Sequence, residues 1–192
     1  MLTEKDPYRY TTDESLLPLV AEGSVPAFNE IYARYGQKMF SYFFRMLWKN
    51  KELAEDLTQE LFMKIIGHAG RFESNRSFHT WLYSIAHNMC KNEYRKEEVK
   101  MKYKPVAQAH ASSETEKNSD LQRFREALYG AVSKLTAEKK ALYVLRFEEQ
   151  LSVPDISQVL NIPEGTIKSR IFYLLKELKE TLSEFKTLHI YP

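Results

Sequence analysis

Three groups of side chains stand at spacings that could do chemistry on a partner. Along residues 77–100, Trp81, Ser84, Asn88, Lys91, Asn92 and Arg95 recur three and four residues apart, which gathers them on one side of a helix at roughly 100° per residue. Aromatic rings stack on bases, amides read base edges, and cations hold phosphates, so this face suits nucleic acid whose bases are unstacked. Trp81 alone leaves two roles open, core packing or base stacking. Along residues 164–182, Thr166, Ser169, Arg170 and Tyr173 share a side, with Lys168 and Lys176 flanking them. Short hydroxyls let a helix sit deep in the major groove, arginine can bind guanine through two hydrogen bonds, and lysines neutralise phosphates. Along residues 52–67, Asp56, Gln59, Met63 and Ile66 form an acidic, amide and apolar face, a composition suited to a protein partner.

None of this is bond-making chemistry. Asp56 and Glu60 lie one helical turn apart, but no third ligand or phosphate-binding loop accompanies them, which weighs against a nuclease. His79 and His87 have no nearby second set of ligands, so no metal or other cofactor is expected. The single cysteine, Cys90, excludes a disulfide within the chain and is expected to be an inert, partly buried thiol.

The elements that must position these groups are helical. Among 192 residues there are six glycines and seven prolines, and few segments alternate apolar with polar residues. Residues 14–21 form a short helix ending near Gly23. Residues 26–48 carry Phe28, Ile31, Tyr35, Met39, Phe43 and Leu47 at helical spacing; 52–67 carry Leu53, Leu57, Leu61 and Ile65; 77–100 carry Phe78, Leu82, Ile85 and Met89. From 107 to 120 no apolar residue is larger than alanine, and such a stretch cannot bury enough surface to offset its ordering entropy. Apolar periodicity resumes with Leu121, Phe124, Leu128 and Leu135, then with Ala141, Leu142 and Leu145. Ser152 and Asp155 predict a capped short helix ending near Asn161, whose residue type tolerates a left-handed turn, and Pro163 is expected at the first position of the next helix. A short helix, a tight turn and a longer polar-faced helix make the DNA-binding helix-turn-helix pattern.

The expected fold is therefore all-α: two small helical domains, residues 1–100 and 121–192, joined by a flexible linker over 101–120, the second containing the helix-turn-helix. The net charge of +2 hides an uneven distribution. Residues 76–104 hold seven Lys/Arg against three Glu, and residues 51–64 hold two Lys against four Asp/Glu, which points to two different partner surfaces. The N-terminus lacks an apolar signal core and no apolar run approaches a membrane span, so a cytoplasmic protein with no membrane insertion is expected.

Three segments in order, "AEDLTQELFMKI", "SFHTWLYSIAHN" and "GTIKSR", resemble the extracytoplasmic-function (ECF) sigma factors, the small two-domain class of bacterial transcription initiation factor. The resemblance spans about residues 27–182. It implies that the chain binds core RNA polymerase and directs it to promoters, without enzymatic activity, in a stress or envelope-signal response, and that an anti-sigma factor is among its candidate partners. It further implies that Asp56, Gln59, Glu60, Phe62, Met63 and Ile66 meet the polymerase. Phe72 and Asn88 would line a pocket for a base flipped from the single-stranded −10 element, with Trp81, Lys91, Asn92 and Arg95 nearby. Arg146, Thr166, Lys168, Ser169, Arg170, Tyr173 and Lys176 would hold the duplex −35 element. Two positions depart from the family pattern: Glu73 follows the loop phenylalanine where members often have Arg-Gly, and Tyr173 stands where many have a basic residue. The competing reading, a helix-turn-helix regulator acting without polymerase, leaves the acidic-apolar face and the aromatic-amide face unexplained.

Overall fold

The computed structural model describes residues 7–73, 76–103 and 120–185. Eight α-helices follow one another: α1 (Asp13–Ala21), α2 (Val25–Met46), α3 (Lys51–His68), α4 (Phe78–Tyr103), α5 (Asp120–Ser133), α6 (Ala137–Tyr143), α7 (Val153–Leu160) and α8 (Glu164–Thr181). No strand occurs among the described residues. The helical blocks lie where the periodicity predicts them. The expected linker is shorter at both ends, since α4 continues to Tyr103 and α5 starts at Asp120; the rest of it, residues 104–119, lies outside the described residues.

The first four helices begin and end where local chemistry favours it. Ser24 caps α2 by accepting from the Ala27 amide at 3.4 Å, and Asn50 caps α3 by accepting from the Leu53 amide at 3.0 Å. Between them, Trp48 and Lys49 both take left-handed backbone angles, φ 51° and 57°, which fold the chain back so that α3 lies along α2. Ile31, Met39, Tyr42 and Phe43 of α2 bury against Leu57, Leu61 and Ile65 of α3. Arg34 fastens the segment before α1: its guanidinium donates to Asp13 and Glu30, both at 2.6 Å, and to the carbonyls of Tyr8, Arg9 and Thr11. Glu14 of α1 then accepts from the Phe78 amide at 2.9 Å, satisfying a donor at the start of α4 that has no partner within its own helix.

The second unit is smaller. Thr136 caps α6. After α6 the chain makes a π-helical turn, Val144–Glu148, and Gln150 takes φ 58° before α7. Ser152 and Asp155 form the expected capping box at the start of α7, and Asn161 adopts the left-handed conformation at its end, φ 54° and ψ 50°. Pro163 occupies the N-cap position of α8 rather than its first helical position, one residue earlier than expected, because its ψ of 141° is still extended. Ile156, Val159, Ile167, Leu174 and Leu178 close the core.

The two units are not held apart. α7 lies against α4, and α6 with the π turn lies against α2, so the buried residues of both form one continuous apolar cluster.

Candidate polymerase and promoter surfaces

On α3 the core stripe and the outer face separate as the spacing predicts. Leu57, Leu61 and Ile65 are buried, Asp56, Gln59 and Glu60 are exposed, and Met63 and Ile66 stand in solvent at 67% and 42% exposure. Glu60 pairs with Lys64 at 3.1 Å. Phe62 is a correction: only 3% exposed, its ring packs into the domain against Tyr32 at 4.7 Å and Phe28 at 6.1 Å. It falls on the inner side because α2 covers both flanks of the α3 core stripe. Tyr32, half exposed, continues the apolar surface next to it.

At the start of α4, Phe72, Phe78 and Trp81 form an aromatic corner. The Phe72 and Trp81 rings lie 5.3 Å apart, and each lies about 6 Å from Phe78. Phe78 is fully buried, whereas Phe72 and Trp81 are half-buried, so Trp81 belongs partly to the core and still presents ring surface. From that corner Asn88, Lys91, Asn92 and Arg95 run along one exposed side of α4. Ser84 is half-buried and donates to the Thr80 carbonyl at 2.8 Å. In the loop, Glu73 pairs with Arg76 at 2.8 Å, so the acidic departure there is accompanied by its own cation.

Next to that exposed side of α4 lies a buried stripe that sequence reasoning missed. Thr80, Tyr83 and Cys90 are buried and His87 and Tyr94 are largely so. The spacing Tyr83, His87, Cys90, Tyr94 is itself helical and could have been read as a second apolar face. Thr80 donates to Asp155 of α7 at 3.0 Å, and Tyr83 donates to Glu149. Burial pushes the Tyr83 hydroxyl and the Cys90 thiol well up from their ordinary ranges and holds the His87 imidazole down at about 4. Cys90 is thus fully rather than partly buried and stays an unionised thiol.

On α8, Lys168, Ser169, Arg170, Tyr173 and Lys176 are exposed and Thr166 is half-buried. Two of the cations carry counter-charges. Lys168 faces Glu164 at 3.9 Å, and Arg170 faces Glu138 of α6 at 3.7 Å. A cavity of about 260 Å³ beside them is lined by Arg170, Tyr173, Glu138 and Leu142. Tyr173 and Phe172 are both 65% exposed, so the aromatic departure in this helix stands in solvent. Arg146, before α7, has a second task inside the fold. It is half-buried, and its guanidinium donates to the Leu151 carbonyl at 3.0 Å, tying the π turn to the start of α7.

Among the described residues, no group of three His, Cys, Asp or Glu side chains is placed to hold a metal, and no helix is long and apolar enough to cross a membrane. An exposed acidic-apolar helix, a helix bearing an aromatic corner with amides and cations, and a helix-turn-helix thus stand on one all-helical chain. Comparison with known proteins gives the class. Residues 31–99 match Sigma-70 region 2, and residues 125–178 match Sigma-70, region 4. The chain is 30% identical over 179 residues to the ECF RNA polymerase sigma factor SigW of Bacillus subtilis, covering 86% of this chain and 94% of that protein. It is 29% identical to the ECF RNA polymerase sigma-E factor of Haemophilus influenzae, covering 84% and 90%. Its fold is similar to that of CnrH, solved in complex with the cytosolic domain of CnrY, with a TM-score of 0.67 at 21% identity over 90% of this chain and 97% of that one. It is equally similar, at 0.67 and 22% identity, to the Bartonella quintana sigma factor RpoE, solved with the anti-sigma factor NepR. The chain belongs to the ECF RNA polymerase sigma factors, which direct core RNA polymerase to promoters.

Proposed function

We propose that the three exposed surfaces divide the work of promoter selection. The α3 face, Asp56, Gln59, Glu60, Met63 and Ile66, docks on core polymerase. The exposed side of α4 holds the single strand of the −10 element, with the Phe72–Trp81 corner receiving an extruded base and Asn88 reading its edge. The α8 face, with Lys168, Ser169, Arg170, Tyr173 and Lys176, takes the −35 duplex. The chain contributes binding energy and leaves bond formation to the polymerase, working in the cytoplasm where the polymerase is. The observation that carries this reading is the arrangement on α4. A half-open aromatic corner sits at one end, and amides and cations continue from it along a single exposed side. A protein that only gripped duplex DNA would have no use for ring surface at that point, since a stacked duplex offers no base faces.

Control by an anti-sigma factor belongs to the same proposal. The solved neighbours CnrH and RpoE were captured with such partners or with a cytosolic fragment of a second protein, and this fits a role in a stress or envelope-signal response. Reconstituting the chain with core polymerase and transcribing genomic fragments tests the proposal. The expected result is run-off products from a small set of start sites sharing one −35/−10 pair. Transcripts indistinguishable from those of core polymerase alone would contradict it.

A further inference from the structure

We propose that α1 sets the aromatic corner that meets the −10 strand, and that Glu14 is its positioning residue. Glu14, half-buried in the first turn of α1, acts through Phe78. Its carboxylate accepts from the Phe78 amide at 2.9 Å, across 64 positions of chain. That amide is one of the donors a helix cannot satisfy from within, and an anion there also meets the positive end of the helix dipole. Ser77 supplies the neighbouring cap, its hydroxyl accepting from the Thr80 amide at 3.4 Å. Phe78 is fully buried and touches both rings that stay half open, with centroids 6.2 Å from Phe72 and 6.0 Å from Trp81. The start of α4 and the seat of both rings thus depend on a side chain from the first helix.

The same helix holds the chain ahead of the corner. It packs against the 3-10 turn Ala69–Arg71, where Ala69 is buried and a Cβ at Gly70 would stand 3.7 Å from the Ala21 side chain. The Phe72 amide donates to the Ala69 carbonyl at 3.1 Å, which ties the first ring of the corner to that turn. α1 is itself fastened from α2. One oxygen of Asp13 accepts from Arg34 at 2.6 Å and the other from the Tyr35 hydroxyl, and the Tyr35 ring stands edge-on to Phe78 with centroids 5.2 Å apart. One short helix therefore reaches both the turn that leads into Phe72 and the residue that starts α4.

The functional consequence rests on the reading of the Phe72–Trp81 corner as the seat of an extruded base. A seat that is ordered before the base arrives loses less freedom on binding, so more of the contact energy is left to offset unstacking. Holding side chains to the productive geometry is the task of the groups that lock them from behind. Loosening the seat should therefore cost most on a closed duplex and least on a promoter that is already melted.

Glu14→Ala and Glu14→Gln, made in the full-length chain and assayed with core polymerase, separate positioning from bulk stability. Gln keeps an oxygen that can accept from the Phe78 amide, and Ala has none. Glu14→Ala should lower the ratio of run-off transcription on a closed duplex to that on a pre-melted −10 bubble about 3- to 10-fold, roughly the worth of one hydrogen bond. Core polymerase affinity should stay unchanged, and Glu14→Gln should restore most of the ratio. In a Trp48→Phe background Trp81 is the only tryptophan. Its quenching by acrylamide should rise in Glu14→Ala and not in Glu14→Gln. Arg34→Lys keeps the charge but lacks the fork that spans Asp13 and the backbone carbonyls. It should move both readouts in the same direction, and it stands in if Glu14→Ala loses helical content. Unchanged quenching, an unchanged ratio, an equal fall on both templates, or a Gln variant as impaired as the Ala variant would each overturn the proposal. Phe72→Ala locates the failure. A lowered ratio there beside a normal one in Glu14→Ala sinks this proposal alone, whereas a normal ratio in both sinks the assignment of the corner with it.

Discussion

Arg45 of α2 and Glu149, just beyond the π turn, stand 2.8 Å apart although 104 positions separate them in the chain. Burial raises the Glu149 carboxyl above its ordinary range, while the Tyr83 hydroxyl and Arg45 pull it back toward ionisation. A half-buried cation thus faces an almost fully buried anion at one of the contacts between the two helical units. Asn88, Lys91, Asn92 and Arg95 remain exposed, while Thr80 and Tyr83 on the adjoining side of α4 are covered.

Asp56→Arg combined with Met63→Glu should weaken core polymerase association at least 10-fold while helical content stays intact, since both side chains are exposed and outside the core stripe. Phe62→Ala should behave differently. Its ring is buried, so the variant should lose about 3–5 kcal/mol of stability. A pull-down with unchanged affinity for the first variant, or an undiminished melt for the second, would contradict the division of α3 into an outer and an inner face.

Acid should loosen the fold through His87. Its imidazole, 3.5 Å from the Tyr42 hydroxyl, is held at about 4 by burial and, secondarily, by Lys91. An unfolded histidine takes up its proton near pH 6.5. Between pH 6.5 and 4 the unfolded chain therefore binds a proton that the folded chain refuses, and stability falls as pH falls, by up to about 3 kcal/mol. His79, also lowered by burial, acts in the same direction, and Glu149, raised by burial, opposes both. Denaturant titrations of wild type and His87→Gln at pH 7 and 4.5 isolate the contribution: the variant should lose clearly less on acidification. Parallel losses would remove His87 as a cause.

The duplex face should show two kinds of contact. Arg170→Ala should cost about 1–3 kcal/mol on a matched −35 duplex and little on a scrambled one, as expected for a bidentate guanine contact. Lys168→Ala should weaken both alike and flatten the salt dependence. Glu138→Gln should tighten binding about two- to three-fold, because Glu138 competes with DNA for Arg170 at 3.7 Å. Fluorescence anisotropy over several salt concentrations reads all three. If Arg170→Ala and Lys168→Ala respond identically, the separation into base and phosphate contacts fails.

Much of this was legible before any coordinates. Leu57, Leu61 and Ile65 had to face inward because they recur at helical spacing, and Ser152 with Asp155 announced a capped helix because their side chains can exchange hydrogen bonds with each other's backbone. The lists of exposed residues on α4 and α8 follow from the same periodicity. Periodicity within one helix failed where the decision was tertiary. Phe62 lies next to the core stripe and only the packing of α2 determines that it is covered; the bond from Arg146 to the Leu151 carbonyl likewise left no trace in the spacing. Thr80, Tyr83 and Arg45 gave no local sign of facing α7 and the π turn, because a contact across more than sixty residues leaves no spacing to read.

The central claim is that the exposed side of α4 reads single-stranded promoter DNA, and Asn88→Ala tests it most directly. The side chain is exposed, so the variant should fold and melt as the wild type does. On a closed duplex promoter its run-off transcription should fall well below wild type, because a contact that offsets the few kcal/mol of unstacking is gone. On the same promoter carrying a pre-melted −10 bubble, the deficit should shrink without vanishing, since discrimination of the base is still poorer. A stably folded Asn88→Ala protein with full activity on the closed duplex would contradict the account.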